Sequence, residues 1–136
     1  MSHGPTQTKA DGKAIMIEAD DLTYQINGAV FEVNKELGAG FLERVYENAL
    51  FFELTARGLK VERQVPIQVH YKKNLVGDYV ADLVVENQII IELKAVEFLN
   101  KCHEAQTLNY LKATGLRIGL LVNFTCPKAE IKRFVL

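Results

Sequence analysis

The stretch Val80-Ala81-Asp82-Leu83-Val84-Val85-Glu86-Asn87-Gln88-Ile89-Ile90-Ile91-Glu92-Leu93-Lys94 decides the fold. Its two apolar runs flank a polar turn. The reading is a strand from Val76 to Val85, a turn at Glu86 and Asn87, and a further strand from Ile89 to about Lys94. The unbroken run Ile89-Ile90-Ile91 implies burial on both faces, so this strand is central in its sheet. Each strand carries a carboxylate among apolar neighbours. Such a group is costly to bury unless something pairs with it.

Working outward towards the N-terminus, the period is two from Val61. Val65, Ile67, Val69 and Tyr71 alternate with Gln64, Pro66, Gln68 and His70. This predicts a strand with one wet face, and Pro66 makes it an edge strand. Lys72, Lys73 and Asn74 form the turn into the next strand. Upstream, Leu22, Ile26, Ala29, Val30, Val33 and Leu37 recur at helical spacing, predicting a helix over about 21–37. Asp20 or Asp21 is the expected N-cap, and Gly38 and Gly40 end the helix. A second helix is expected from about Phe41, with Leu42, Val45, Ala49 and Phe52 as its apolar stripe. Its opposite flank carries Glu43, Tyr46 and Glu47, and Gly58 ends it.

Working outward towards the C-terminus, Lys101 to about Thr114 reads as a helix with Ala105, Leu108 and Leu111 inward, closed by Gly115. Ile118 to Phe124 is another buried strand. Strand, helix and strand in that order make a parallel, right-handed crossover. Glu130 to Val135 is a short final edge strand. The order α-α-β-β-β-α-β, with this last β, is that of an α/β fold. Its mixed sheet is covered by helices on both faces.

The 136 residues suit one domain. Residues 1–17 read as a flexible leader and 18–136 as the single folded unit. The leader lacks the apolar stretch of a signal peptide. No apolar run approaches the ~18 residues that span a membrane. Cys102 and Cys126 show no paired spacing, which argues against a zinc site or a disulfide framework and favours the reducing cytoplasm. Sixteen basic against seventeen acidic residues give a net charge of −1. That counts against a protein that coats nucleic acid by charge alone, but not against an enzyme that grips backbone through a metal.

The acidic pair carries the chemistry. Asp82 and Glu92 lie five residues either side of Asn87. A hairpin loop of odd length centred there puts them opposite each other on one face, with Cβ atoms about 5 Å apart. A two-residue turn at Glu86-Asn87 would send them to opposite faces. Like charges so close repel, and a divalent cation between them removes the repulsion. Mg²⁺ takes one or two carboxylates plus waters and a phosphate. Lys94, two residues past Glu92, faces the same way. It can hold an attacking water or balance charge on a phosphate. Alone, an acid-x-lysine in a strand is usually a cross-strand ion pair; Asp82 at the matching register makes the site reading its equal. On the helix over 101–114, His103, Gln106 or Thr107, and Tyr110 share a face. Gln106 and Tyr110 can position a phosphate or a water, although a polar helix flank accounts for them as well. Glu43 by itself is an ordinary helix glutamate.

Gly40 to Tyr46, read as GxxExxY, then Asp82, Glu92-x-Lys94 and the run His103-Glu104-Ala105-Gln106, together closely resemble the GxxExxY family. That family is assigned to the PD-(D/E)xK nuclease superfamily. The similarity runs from about Asp21 to the C-terminus. The Gln106-x-x-x-Tyr110 spacing is similar to that of RecB-type exonucleases. The resemblance implies a restriction-endonuclease-like three-layer α/β/α fold. It implies Mg²⁺ or Mn²⁺ held by Glu43, Asp82 and Glu92, with the Leu93 carbonyl as a further ligand. Lys94 would be the catalytic lysine, supported by Gln106 and Tyr110. Ala81 stands where the superfamily name has proline, which removes no chemistry.

The expected function is a metal-dependent nuclease that hydrolyses phosphodiester bonds by a metal-activated water, on DNA in preference to RNA. The alternative is a catalytically silent nuclease-fold module that binds nucleic acid or a protein partner. A plain structural α/β protein would leave the acidic pair unexplained. No membrane partner is expected, and a homodimer is admitted. His70 is expected to be solvated, and Cys102 and Cys126 to be small core or core-edge residues. Lys72, Lys73, Lys101 and Lys112 read as surface cations able to guide nucleic-acid backbone.

Overall fold

The computed structural model describes Lys9–Ala10, Lys13–Ala14 and residues 17–125 and 127–136. Residues 1–8, 11–12 and 15–16 of the expected leader lie outside the described residues, as does Cys126. Two short strands, β1 (Lys9–Ala10) and β2 (Lys13–Ala14), pair antiparallel. Then follow α1 (Ala19–Leu37), α2 (Glu43–Ala56), β3 (Val61–Tyr71), β4 (Asn74–Val85), β5 (Ile89–Lys94), α3 (Lys101–Thr114), β6 (Ile118–Asn123) and β7 (Glu130–Val135). The five long strands form one sheet in sequence order, β3-β4-β5-β6-β7. Only β5 and β6, joined through α3, run parallel. The isoleucine-rich strand is therefore central, and the proline-bearing strand β3 is an edge, as their patterns predict. No helix among the described residues is long and apolar enough to cross a membrane.

Two apolar layers flank the sheet. On one side α1 and α2 pack Leu22, Ile26, Val30, Leu50 and Leu54 against Leu83, Val85, Ile91 and Leu93. On the other, Tyr110 and Leu111 of α3 pack against Ile67, Ala81, Val84 and Ile90. This is the α/β/α sandwich that the element order implies.

Four local readings are corrected. The N-cap of α1 is Glu18, without a side-chain cap, and Asp20 and Asp21 sit inside the first turn. There they face the positive end of the helix dipole. α2 begins at Glu43 rather than Phe41 and turns a different face inward: Tyr46, Glu47, Leu50 and Leu54 are buried, while Leu42 is 80% and Phe52 66% exposed. The helix carries two apolar stripes. The one that wins is anchored by Tyr46, whose ring stacks on Phe124 with centroids 4.4 Å apart. α3 buries Thr107, Tyr110 and Leu111, and leaves Ala105 exposed and Leu108 half-buried. A glycine sets that rotation. A Cβ at Gly119 on β6 would come within 2.8 Å of Thr107 Cγ2, so only glycine lets α3 sit this close. Cys102 is exposed rather than in the core, and His70 is exposed as expected.

Candidate active site

The β4–β5 hairpin closes with three residues, Glu86, Asn87 and Gln88, between Val85 and Ile89. Glu86 and Asn87 adopt left-handed φ of 53° and 54°. The odd loop keeps the register symmetric about Asn87. The ladder runs through Val84–Ile90 and Leu83–Ile91 and stops there. Where Asp82 and Glu92 would pair next, side chains take over. The Asp82 amide donates to Glu92 Oε2 at 2.9 Å, and the Leu93 amide donates to Asp82 Oδ2 at 2.8 Å. Each carboxylate thus spends one oxygen on the facing strand. Asp82 Oδ1 and Glu92 Oε1 accept no hydrogen bond from the described residues.

The other edge of β4 opens at the same point. The β3–β4 ladder pairs Arg63 with Leu83 and Val65 with Ala81, and skips Gln64 and Asp82 between them. Gln64 has φ 53° inside a strand, a conformation rare for non-glycine residues. The faces swap there as well. Val61, Leu83 and Val85 pack on the α1/α2 side, whereas Val65 and Ala81 pack on the α3 side. This irregularity frees the Gln64 side chain to donate to Glu47 Oε1 at 2.9 Å. It also opens a cleft of about 490 Å³ bounded by Glu43, Glu47, Gln64 and Asp82.

Burial dominates the electrostatics. Glu92, only 4% exposed, has its pKa pushed up to about 8 by desolvation and then by the charge of Asp82; the Asp82 amide and Lys94 pull it partly back. Burial also raises the Asp82 pKa, against the Leu93 amide and with the help of Glu47 and Glu43. Lys94 stands on the same side of β5 as Glu92 and forms no ion pair among the described residues. The strand end that carries it is pinned from β6. The Phe124 amide donates to the Lys94 carbonyl at 2.9 Å. The buried Asn123 amide accepts from the Val96 N–H and donates to its carbonyl.

The approach from α2 depends on the loop before it. Gly40 has φ 109°, which a side chain would strain. The Tyr46 hydroxyl donates to the Gly38 carbonyl at 2.6 Å and accepts from the Phe41 amide at 3.2 Å. Glycine and tyrosine of the motif thus shape the turn that delivers Glu43 to the rim of the cleft. Glu43 remains exposed there. Among the described residues no three acidic, histidine or cysteine side chains converge as a metal cage. Asp82 and Glu92 form the inner pair, and Glu43 acts on it through its charge. Tyr46→Phe should destabilise the protein by about 1–2 kcal/mol, because it orphans the Gly38 carbonyl and the Phe41 amide. Denaturant unfolding checks this, and an unchanged midpoint would mean that the hydroxyl ties nothing down.

α3 brings its residues together in part. Tyr110 stands near the pair: burial, and then the charges of Glu92 and Asp82, push its pKa to about 12. Gln106 faces a separate cavity alongside Tyr110 and is not on the cleft with Glu43 and Asp82. His103 closes a capping box with Asn100, and Glu104 pairs with Lys132 of β7 at 2.7 Å. Both serve the packing of α3. Glu47, Gln64 and Asn123 belong to the surroundings of the pair without having stood out in the sequence. For Glu47 a signal existed, since it lies one helical turn after Glu43. For Gln64 there was none.

A family model for the PD-(D/E)XK nuclease superfamily matches residues 20–134. The crystal structure of SSO0001 shares the fold, with a TM-score of 0.57 and 18% identity. The match covers 68% of this chain and 48% of SSO0001, so the chain spans about half the length of that protein. No curated protein matches it by sequence.

Proposed function

Since the chain belongs to the PD-(D/E)XK nuclease superfamily, we propose that it hydrolyses phosphodiester bonds of nucleic acid, DNA in preference to RNA, at the Asp82/Glu92 pair. The observation that supports this reading is the pair itself: the buried Glu92 and the half-buried Asp82, each with one carboxylate oxygen tied to the facing strand and one left over. That donor set suits a hard divalent cation, Mg²⁺ or Mn²⁺, which takes a few carboxylate oxygens and keeps several waters. When bound, the ion supplies an activated water and offsets charge on the phosphate. Glu43 lies too far out to complete a cage, so its share is a ligand role through a bridging water or a swing inward.

The remaining roles follow from position. Asp82 and Glu92 hold the cation side of the scissile phosphate. Lys94, without an ion-pair partner among the described residues and on the same side, meets the negative charge that builds on the phosphate oxygens. Tyr110, its pKa raised first by burial and then by its acidic neighbours, offers an O–H donor beside the pair. Glu47 and Gln64 hold the cleft open. Gln106 and Tyr110 touch the substrate beyond the scissile bond.

The test is cleavage of labelled DNA and RNA, single- and double-stranded, with Mg²⁺ or Mn²⁺ and with EDTA. Glu92→Ala serves as the control. Cleavage that needs the metal and is lost in Glu92→Ala is the expected result. If no substrate is cut under any metal, the silent-module reading takes its place. The net charge of −1 favours that second reading, because it leaves little sequence-independent attraction for nucleic acid.

A further inference from the structure

A second cavity lies outside the acidic cleft. It has a volume of about 750 Å³ and sits between edge strand β3 and helix α3. Such a volume is in the range of small-ligand pockets, roughly 300–1,000 Å³. Its floor is aromatic. Tyr79, 49% exposed, lies 5.9 Å from the Tyr110 ring, centroid to centroid. Tyr79 leans over Gly77: a Cβ there would meet Tyr79 Cε2 at 3.1 Å. The walls add the amides of Gln68, Gln106 and Asn109. Each amide both donates and accepts hydrogen bonds.

One lysine lines the cavity and three more stand next to its lining residues in the sequence. Lys112 lines the cavity. Lys72 and Lys73 form the turn just past the lining residue His70, and Lys101 precedes the lining residue Cys102. Tyr110 joins the two sites, because it lines this cavity and also feels the charges of Glu92 and Asp82.

An exposed aromatic face, amides with both hydrogen-bonding senses, and lysines outside match one ligand chemistry. We infer that this cavity is a nucleobase subsite, which takes one unpaired base of a single-stranded nucleic acid against Tyr79 while the adjoining phosphodiester lies towards Asp82 and Glu92. The placement of that phosphodiester rests on the nuclease reading; the base subsite itself does not. A base in a duplex cannot enter without being unpaired and unstacked, which costs a few kcal/mol. The inference therefore assigns the substrate class as single strands, frayed ends or gaps. Stacking on an aromatic ring tolerates any base, so little sequence preference follows.

The experiment is fluorescence anisotropy in EDTA, where no cutting occurs. The probes are short fluorescein-labelled single-stranded DNA, RNA of the same sequence, and the blunt DNA duplex. The wild type should bind single strands more tightly than duplex. Tyr79→Ala should weaken single-strand binding by roughly 5- to 150-fold, the range for losing one base–aromatic stack. Tyr79→Phe should retain it, since the ring remains. Tyr79 is half exposed, and an unchanged melting curve would show that the alanine variant is folded. Binding of only one of the two single strands would mean that the sugar is read as well as the base. Equal binding of duplex, an unaffected Tyr79→Ala, or no binding of any probe would overturn the subsite. Cleavage with Mg²⁺, assayed in parallel, reports on the nuclease reading alone. Tyr79-dependent binding without cleavage would sink that reading and leave the subsite standing.

Discussion

Lys94→Ala is expected to lower cleavage by roughly 10²- to 10³-fold, the usual loss when one positioned charge stabiliser is removed, while leaving metal binding intact or stronger. The two effects separate because Lys94 and the cation carry the same sign. Lys94 lowers the pKa of both Asp82 and Glu92 by its charge, so it competes with a metal for the same electrostatic work. Its removal costs the phosphate a partner and costs the ion nothing. Asp82→Asn should do the reverse to binding, since it keeps the shape and removes a charged ligand. The readout is melting temperature with and without millimolar Mg²⁺ or Mn²⁺, next to a cleavage assay. An ion present at 100 times its Kd stabilises the folded state by about 2.7 kcal/mol. Wild type and Lys94→Ala should both show such a gain, and Asp82→Asn should lose most of it. A wild type indifferent to metal, with Asp82→Asn simply more stable, would mean that the carboxylates hold no ion. The binding-module reading would then lead.

The hairpin was legible because its evidence is local. Asp82 and Glu92 are symmetric about Asn87, and β-strand alternation turns that symmetry into a shared site once the loop is odd. The order of the elements, the central place of β5 and the edge place of β3 follow from the same kind of pattern. The inward face of α2 was misread for a physical reason. Leu42, Val45 and Phe52 make as good an apolar stripe as Tyr46, Leu50 and Leu54, and periodicity weighs only hydrophobicity. The deciding contacts are non-local: the Tyr46 hydroxyl to the Gly38 carbonyl, and the Tyr46 ring on Phe124. On α3, Thr107 faces inward because Gly119, twelve residues later, makes room for it. The left-handed Gln64 inside β3 has no signature in composition or spacing. It stands where both ladders open around Asp82, a property of the assembled sheet. So the acidic pair could be read from the chain, and Glu47 was visible only as a neighbour of Glu43 on its helix flank, whereas Gln64, which shapes the cleft in front of the pair, came only with the fold.

The metal-free protein should become less stable as pH rises from about 4.5 to about 8, and metal binding in that window should expel protons. Glu92 ordinarily titrates at 4.5 and is pushed up to about 8 in the folded chain, first by burial and second by Asp82. Between those values the folded state holds a proton that the unfolded state has released. Stability then falls with pH, because the slope follows protons bound unfolded minus protons bound folded. The stabilising effect is whole below the unfolded value and is lost by about pH 8, where the folded chain must also carry the charge. Burial shifts Asp82 in the same direction. A bound divalent ion needs both carboxylates ionised, so its affinity should climb with pH up to about 8 and level off beyond. At neutral pH the missing proton leaves for the buffer. Calorimetric titration with Mg²⁺ or Mn²⁺ in two buffers of different ionisation enthalpy counts that proton directly. Glu92→Gln removes the charge but keeps the acceptor for the Asp82 amide. It should flatten the pH slope of the metal-free protein, melt higher than wild type near pH 8, and gain nothing from metal. A wild type whose metal-free stability rises between about pH 5 and pH 8, with no proton released on metal addition, would show that Glu92 is already ionised in its buried position. The acidic pair would then be held apart by some other cation, with Lys94 the first candidate, and the divalent-metal assignment would fall with it.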